Sequence, residues 1–274
     1  MDTATPHLFA LAPADCAREL NSALPPVLLD VRKAEDFAAS EYFLPQSRRW
    51  DYHATPSLPA DISKTQPVIA YCVKGAAVGI GAAEQLDAAG FTAHFLEGGL
   101  KAWQAQGLLA VKKRSDLGVD GERASKWVTR ERPKIDRIAC PWLVKRFIDP
   151  RAEFLYVPTA QVFEVAKKEN AVAYDIPRAP LEHNGALCSF DAFIAAFELH
   201  SDPALQKLAT IVRGADTDAL HLAPQSAGLL AISLGLSKNF SDDHALLAQG
   251  LVMYDALYRW CKDGASETHN WAPK

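Results

Sequence analysis

The sequence predicts an α/β domain on a mainly parallel sheet, followed by a second domain that is mainly α-helical (α+β). Three observations predict it. Apolar runs of four or five residues recur through the first hundred positions, and helical stretches separate them. Beyond residue 125 the pattern changes to longer helical stretches with few strands. A chain of 274 residues also has room for two domains of roughly 100–200 residues each.

The elements follow in order. Pro25-Pro26 precedes Val27-Leu28-Leu29-Asp30-Val31, the kind of apolar run that fills a parallel strand covered on both faces. Residues 33–40 read as a short helix. Pro67 introduces a second buried strand, Val68-Ile69-Ala70-Tyr71, which runs into Cys72, Gly75 and Gly79. An apolar helix over 80–89 comes next, capped by Gly90. Residues 93–96 form a third strand, and Gly98-Gly99 opens a helix through Trp103. Residues 111–123 are polar with two glycines, so the first domain is set at 1–112, a linker at 113–124 and the second domain at 125–274. In the second domain residues 136–148 read as a helix with Pro141 in its first turn. Residues 153–157 read as a strand, and Thr159 as the N-cap of a helix over 160–169. Further helices are expected over 190–197, 203–212, 225–234 and 243–260.

Composition excludes several function classes. Apolar residues make up 49%, charged residues 23%, and the net charge is −4, so nothing draws the whole chain to nucleic acid or to a membrane surface. The five cysteines, Cys16, Cys72, Cys140, Cys188 and Cys261, are odd in number, widely spaced and free of any CxxC pair. That is no secreted disulfide framework. No basic segment followed by an apolar core opens the sequence, and no apolar run approaches the roughly 18 residues of a membrane span. A cytoplasmic protein is expected.

Cys72 is the first chemical candidate. In an open parallel sheet, ligands bind beyond the carboxyl ends of strands. A glycine-containing loop and a helix follow Cys72, so backbone N–H groups and the helix dipole would stabilise a thiolate or persulfide anion there. A thiolate is a nucleophile. On position alone, a small buried hydrophobe fits equally.

Four motifs add to position: Leu29-Asp30-Val31-Arg32, Asp36-Phe37, Tyr71-Cys72-Val73-Lys74-Gly75, and Glu97-Gly98-Gly99 with Trp103. In order and spacing they resemble the rhodanese family over roughly residues 8–110. The resemblance implies a rhodanese-like parallel sheet flanked by helices and a sulfurtransferase in which Cys72 carries sulfane sulfur as a persulfide. It implies a persulfide loop of Val73, Lys74, Gly75, Ala76, Ala77 and Val78, support from Asp30 and Arg32, no cofactor in this half, a sulfane-sulfur donor and a thiol acceptor. The family's loop often ends in an arginine; here Lys74 is its only cation, which puts efficient use of thiosulfate in doubt.

In the second half, the stretch from Arg130 to Leu143, then Leu187-Cys188-Ser189-Phe190-Asp191, Val212-Arg213-Gly214-Ala215-Asp216-Thr217, Asp242-Asp243-His244 and Tyr254-Asp255-Ala256-Leu257-Tyr258 resemble the ChrB-type chromate-resistance family. The match covers roughly 125–263, and it implies a role in chromate resistance. Read from the residues, Arg132, Lys134 and Arg137 at a helix start suit a tetrahedral dianion such as chromate or sulfate, or ordinary ion pairs. His183 and Cys188 flank a turn at Asn184-Gly185, and with Asp216, Asp243 and His244 they form a candidate metal set. Zinc is favoured if Cys188 binds, whereas manganese or iron suits a histidine–carboxylate set. The acids at 242 and 243 also suit a helix cap, and a hydrogen-bonded network without metal fits the same residues. Two functional readings result. One is a sulfur carrier fused to a domain that binds a metal or oxyanion; the other is a non-enzymatic sensor of oxyanion, metal or redox state.

Overall fold

The computed structural model describes residues 9–22, 24–54, 57 and 62–267. The chain divides into two compact units, Met1–Ala124 with Arg146–Pro150, and Ser125–Lys145 with Arg151–Lys274.

In the first unit the elements are β1 (Phe9–Leu11), α1 (Pro13–Glu19), β2 (Val27–Asp30), α2 (Ala34–Ala39), β3 (Tyr42–Phe43), β4 (Arg48–Arg49), β5 (Val68–Tyr71), α3 (Ala77–Ala88), β6 (Ala93–Leu96), α4 (Gly99–Ala105) and β7 (Val111–Lys112). Five strands form one parallel sheet in the order β1-β6-β5-β2-β4. All four residues of β2 and of β5 are buried, because helices cover both faces of the sheet. The two-residue period of a strand then sorts the core. Val27, Leu29, Val68, Ala70 and Cys72 pack with Ala82, Ala83 and Leu86 of α3, whereas Leu28, Ile69 and Tyr71 pack with Cys16, Leu100 and Trp103. Cys72 therefore lies on the α3 face.

Residues 113–124, expected as a linker, are packed. β7 pairs antiparallel with β3, and Lys113 N–H donates to Glu41 O at 2.7 Å. Leu117 and Val119 are each 2% exposed. Gly121, at φ +84°, would bring a Cβ to 3.2 Å from the Phe37 ring. The polar spelling of this stretch hid two apolar anchors. Lys113 donates through Nζ to Phe37 O and lies 3.5 Å from the Phe37 ring centroid. Burial, then the Arg32 charge, holds its amine down at about 8 against an ordinary 10.5. Between those values the unfolded chain binds more protons than the native one, so this amine makes stability rise with pH across that window. Urea titrations of wild type and Lys113→Met should show the difference between them shifting towards wild type as pH passes upward through the window. A difference that stays constant would exclude the effect.

The second unit contains β8 (Lys126–Arg130), α5 (Asp136–Leu143), β9 (Glu153–Val157), α6 (Val162–Glu169), β10 (Val172–Ala173), α7 (Ser189–Ala196), α8 (Pro203–Asp216), α9 (Gln225–Asn239) and α10 (Asp243–Arg259). A three-stranded parallel sheet runs in the order β10-β8-β9. Its central strand, β8, lies within the charged stretch and was not expected; Trp127, Val128 and Thr129 are buried in it while Lys126 and Arg130 sit at its ends. Trp127 packs among Tyr174, Phe193 and Phe197.

Two local expectations are corrected. Pro141 is the sixth residue of α5, not part of its first turn. A proline there lacks the N–H that would bond the carbonyl four residues back, and Tyr174 OH donates to that carbonyl, Arg137 O, at 3.3 Å. A π turn over Val144–Ile148 follows. Thr159 does not cap α6; it opens a 3-10 turn, Thr159–Gln161, and α6 starts at Val162 without a side-chain cap.

Candidate functional site

Two groups of side chains carry chemistry, one in each unit.

In the first unit, Cys72 is the residue after β5 and is 5% exposed. Its Sγ would stand 3.4 Å from a Cβ placed on Gly79 in the first turn of α3, so the sulfur rests on the open backbone of that glycine. The loop over 73–76 bends through Gly75 at φ +61°. Gly79 and Ile80 N–H both donate to Ala76 O, at 2.9 and 3.1 Å. The N–H groups of residues 73–78 have no backbone acceptor among the described residues. They are donors without a backbone acceptor in the loop that follows Cys72, at the positive end of a twelve-residue helix.

The loop is held from behind by the start of α4. Leu100 N–H donates to Cys72 O at 2.9 Å and Lys101 N–H to Val73 O at 3.1 Å. Gly98 and Gly99, at φ +66° and +57°, make that approach possible. A Cβ on Gly99 would overlap Cys72 O and come within 2.6 Å of Gly75 N. Gly99→Ala should displace the loop and slow sulfur uptake at Cys72 on the order of 10–100-fold. Circular dichroism would confirm that the fold persists; uptake at the wild-type rate would show that loop position is unimportant.

Asp30 and Arg32 do not face the sulfur. Arg32 Nε donates to Asp30 Oδ1 at 2.8 Å and Nη2 to Oδ2 at 2.5 Å, with both side chains almost wholly buried. Tyr71 OH donates to Asp30 Oδ2 at 2.7 Å, and accepts from Leu44 N–H at 3.2 Å. This network supports β2 and β5 from the face opposite α3, where Tyr71 packs.

In the second unit the structure gathers Asp136, Asp175, Asp216 and His183. Nε2 of His183 lies 3.2 Å from Asp136 Oδ2, 3.3 Å from Asp175 Oδ1 and 3.1 Å from Asp216 Oδ2. Asp136 is 2% and Asp175 4% exposed, while the His183 side chain is 42% exposed and forms the open side. Each acid has a distinct mount. Asp136 begins α5, directly after Ile135 at φ +43°, a conformation that a β-branched residue rarely takes. Ile135 is pinned on both sides: its N–H donates to Ser233 Oγ at 2.9 Å and its carbonyl accepts from Tyr254 OH at 2.8 Å. Asp175 follows the end of β10, Asp216 ends α8, and Ser189 at the start of α7 donates through N–H to Asp136 and through Oγ to Asp175. Arg130 and Arg137 both reach Asp175 Oδ2, at 2.8 and 3.2 Å. Burial, and then the Asp136 charge, push the Asp216 carboxyl up to about 8. The hydrogen bond to Asp136 lifts His183 to about 9.

Of the five residues expected as metal ligands, the structure brings together only His183 and Asp216. The turn at 184–187 forms, but Cys188 instead caps α7, its N–H and Sγ both donating to Asp191 Oδ2, which Arg213 holds. Burial keeps that thiol protonated. Asp243 Oδ2 accepts from Arg132 N–H, and the His244 ring lies against Tyr156, so both are engaged elsewhere. Asp136 and Asp175 were missed. The signal for Asp175 was its place past a parallel strand, the same logic that marks Cys72, but β10 has only two residues.

The expected anion site is also corrected. The Arg132 guanidinium donates to the carbonyls of Ser237, Phe240 and Ser241 at the end of α9, and so closes that helix. Arg137 donates to Arg130 O and Glu131 O and pairs with Asp175. Lys134 lines an open groove together with Arg132, beside Lys238 and Leu234, whereas Arg137 does not.

Comparison with known proteins accords with this division. Residues 13–106 match the rhodanese-like domain model and residues 127–261 the model of the ChrB C-terminal domain. The curated relative Protein ChrB of Cupriavidus metallidurans is 32% identical over 132 residues, which are 48% of this chain but only 39% of the relative. Among solved structures, a rhodanese-like domain protein from Staphylococcus aureus is 22% identical, covering 35% of this chain and 91% of its own, with a TM-score of 0.32. A rhodanese homologue from Thermus thermophilus is 26% identical, covering 34% and 99%, with a TM-score of 0.28. Among the described residues no helix is long and apolar enough to cross a membrane. The chain is thus a rhodanese-like domain followed by a ChrB C-terminal domain.

Proposed function

We propose that the first unit is a sulfur carrier in which Cys72 accepts sulfane sulfur as a persulfide and passes it to a thiol, in a chain that serves chromate resistance. The observation that carries the reading is the seat of Cys72. Its sulfur rests on Gly79 at the start of α3, beside a loop whose N–H groups at 73–78 have no backbone acceptor. Such donors stabilise an anion that grows outward from the sulfur by one atom. With thiosulfate as donor, the Cys72 thiolate attacks the outer sulfur, the sulfur–sulfur bond of the donor breaks, and sulfite leaves with the electron pair. A thiolate acceptor then attacks the outer sulfur of the persulfide and regenerates the Cys72 thiolate. Lys74, the one cation of the loop, is exposed and provides a single contact for an anionic donor. The ChrB-type half supports the chromate-resistance context through the family match over 127–261.

Mass spectrometry of the full chain tests the reading. After exposure to thiosulfate, or to a low-molecular-weight persulfide, the peptide holding Cys72 should gain the mass of one sulfur atom and lose it to added thiol. No gain with either donor would reject the reading.

A further inference from the structure

We infer that Asp136, Asp175, Asp216 and His183 form a binding site for one divalent first-row metal cation, held by three carboxylate oxygens and one imidazole nitrogen. This site lies wholly in the second unit and does not depend on the sulfur chemistry of Cys72.

The spacing supports it first. Ligands bound at roughly 2.0–2.2 Å to one cation stand roughly 3.0–3.5 Å from their neighbours in the coordination shell. The three acid oxygens lie 3.1, 3.2 and 3.3 Å from His183 Nε2, and one donor atom from each of Asp136, Asp175 and His183 lies within 4.8 Å of the others. An imidazole N–H points at one acceptor, so hydrogen bonding alone does not account for three oxygens around one nitrogen.

Charge supports it next. Buried carboxylates are paired or bind metal. Arg130 and Arg137 pair only with Asp175, while the ion-pair partner of both Asp136 and Asp216 among the described residues is His183, a side chain that can exchange its proton for a metal ion. The four ligands come from four separate segments, and Ser189 orients two of them.

A buried thiol lies close to this set along the chain. Cys140 lies one turn after Asp136 on α5 and is 0% exposed; its carbonyl accepts from Val144 N–H. With Cys188 committed to its cap, oxygen donors dominate, which suits manganese or iron(II) and admits zinc. The exposed side of His183 gives the ion its way in.

Chelator-treated full-length protein should be titrated with manganese(II), iron(II) anaerobically, and zinc(II), with binding followed by calorimetry and by the manganese EPR signal. At least one metal should bind at one equivalent per chain and raise the melting temperature, since a ligand that binds only the folded state stabilises it. His183→Gln and Asp216→Asn should each weaken binding by more than about 100-fold, beyond the 10–100-fold typical of outer-shell changes. The His183 ring is partly exposed, so His183→Gln keeps the test valid if an acid variant fails to fold. Cys72→Ser and Asp242→Asn should bind as wild type does. Failure of all three metals to bind, or tight binding that survives His183→Gln, would overturn the site. Loss of sulfur uptake with metal binding intact would reject the sulfur reading alone.

Discussion

Cys72→Ser is expected to abolish sulfur uptake and every transfer that depends on it. The hydroxyl is nearly isosteric, so the variant should fold and melt as the wild type does, while the nucleophilic sulfur is gone. The measurement is mass spectrometry after exposure to donor, together with the rate of persulfide delivery to a thiol acceptor. The other four cysteines provide an internal control. Cys16, Cys140, Cys188 and Cys261 are all buried, and burial pushes each of their thiols above the ordinary value, Cys16 up to about 12. None of the four follows a strand of the parallel sheet as Cys72 does, so none is expected to replace it. Sulfur transfer that continues at the wild-type rate in the serine variant would remove Cys72 from the chemistry.

The largest expected loss of stability comes from Arg32→Leu. The guanidinium is buried against Asp30, itself 1% exposed, and removing it leaves a carboxylate that water cannot reach. Breaking such a pair by deleting one partner costs about 3–5 kcal/mol. Urea denaturation should report that loss, while Arg32→Leu combined with Asp30→Asn should recover part of it, because the stranded charge is then gone. A single variant within about 0.5 kcal/mol of wild type, the usual range for surface changes, would show that solvent reaches this network. Since Tyr71 joins the pair and directly precedes Cys72, the same variant should loosen the β5 end of the persulfide loop.

The sequence was legible where neighbours in the chain decide the outcome. Val27–Asp30 and Val68–Tyr71 are strands because apolar residues in an unbroken run need both faces covered, and that is written in the run itself. Cys72 was legible for the same reason: a strand end, a glycine loop and a helix start are consecutive. Local spelling misled where burial is sparse or charge is dense. Residues 113–124 look like a tether because the anchors Leu117 and Val119 are only two among polar neighbours. β8 was hidden because Lys126 and Arg130 bracket its three buried residues.

By itself, then, the sequence determined the fold class of both halves, three of the five parallel strands of the first half, and the place of Cys72 directly past β5. Only the tertiary structure decided which polar residues of the second half act together. Asp136 and Asp216 are 80 positions apart, and Asp175 and His183 lie between them on other segments. Nothing within reach of a local pattern distinguishes Asp216, which joins them, from Asp243, which accepts from Arg132 instead. Convergence of this kind is set by how α5, α7 and α8 pack and by the pinned backbone at Ile135. Long-range packing places a side chain to within an ångström, and residue order along the chain carries no record of that distance.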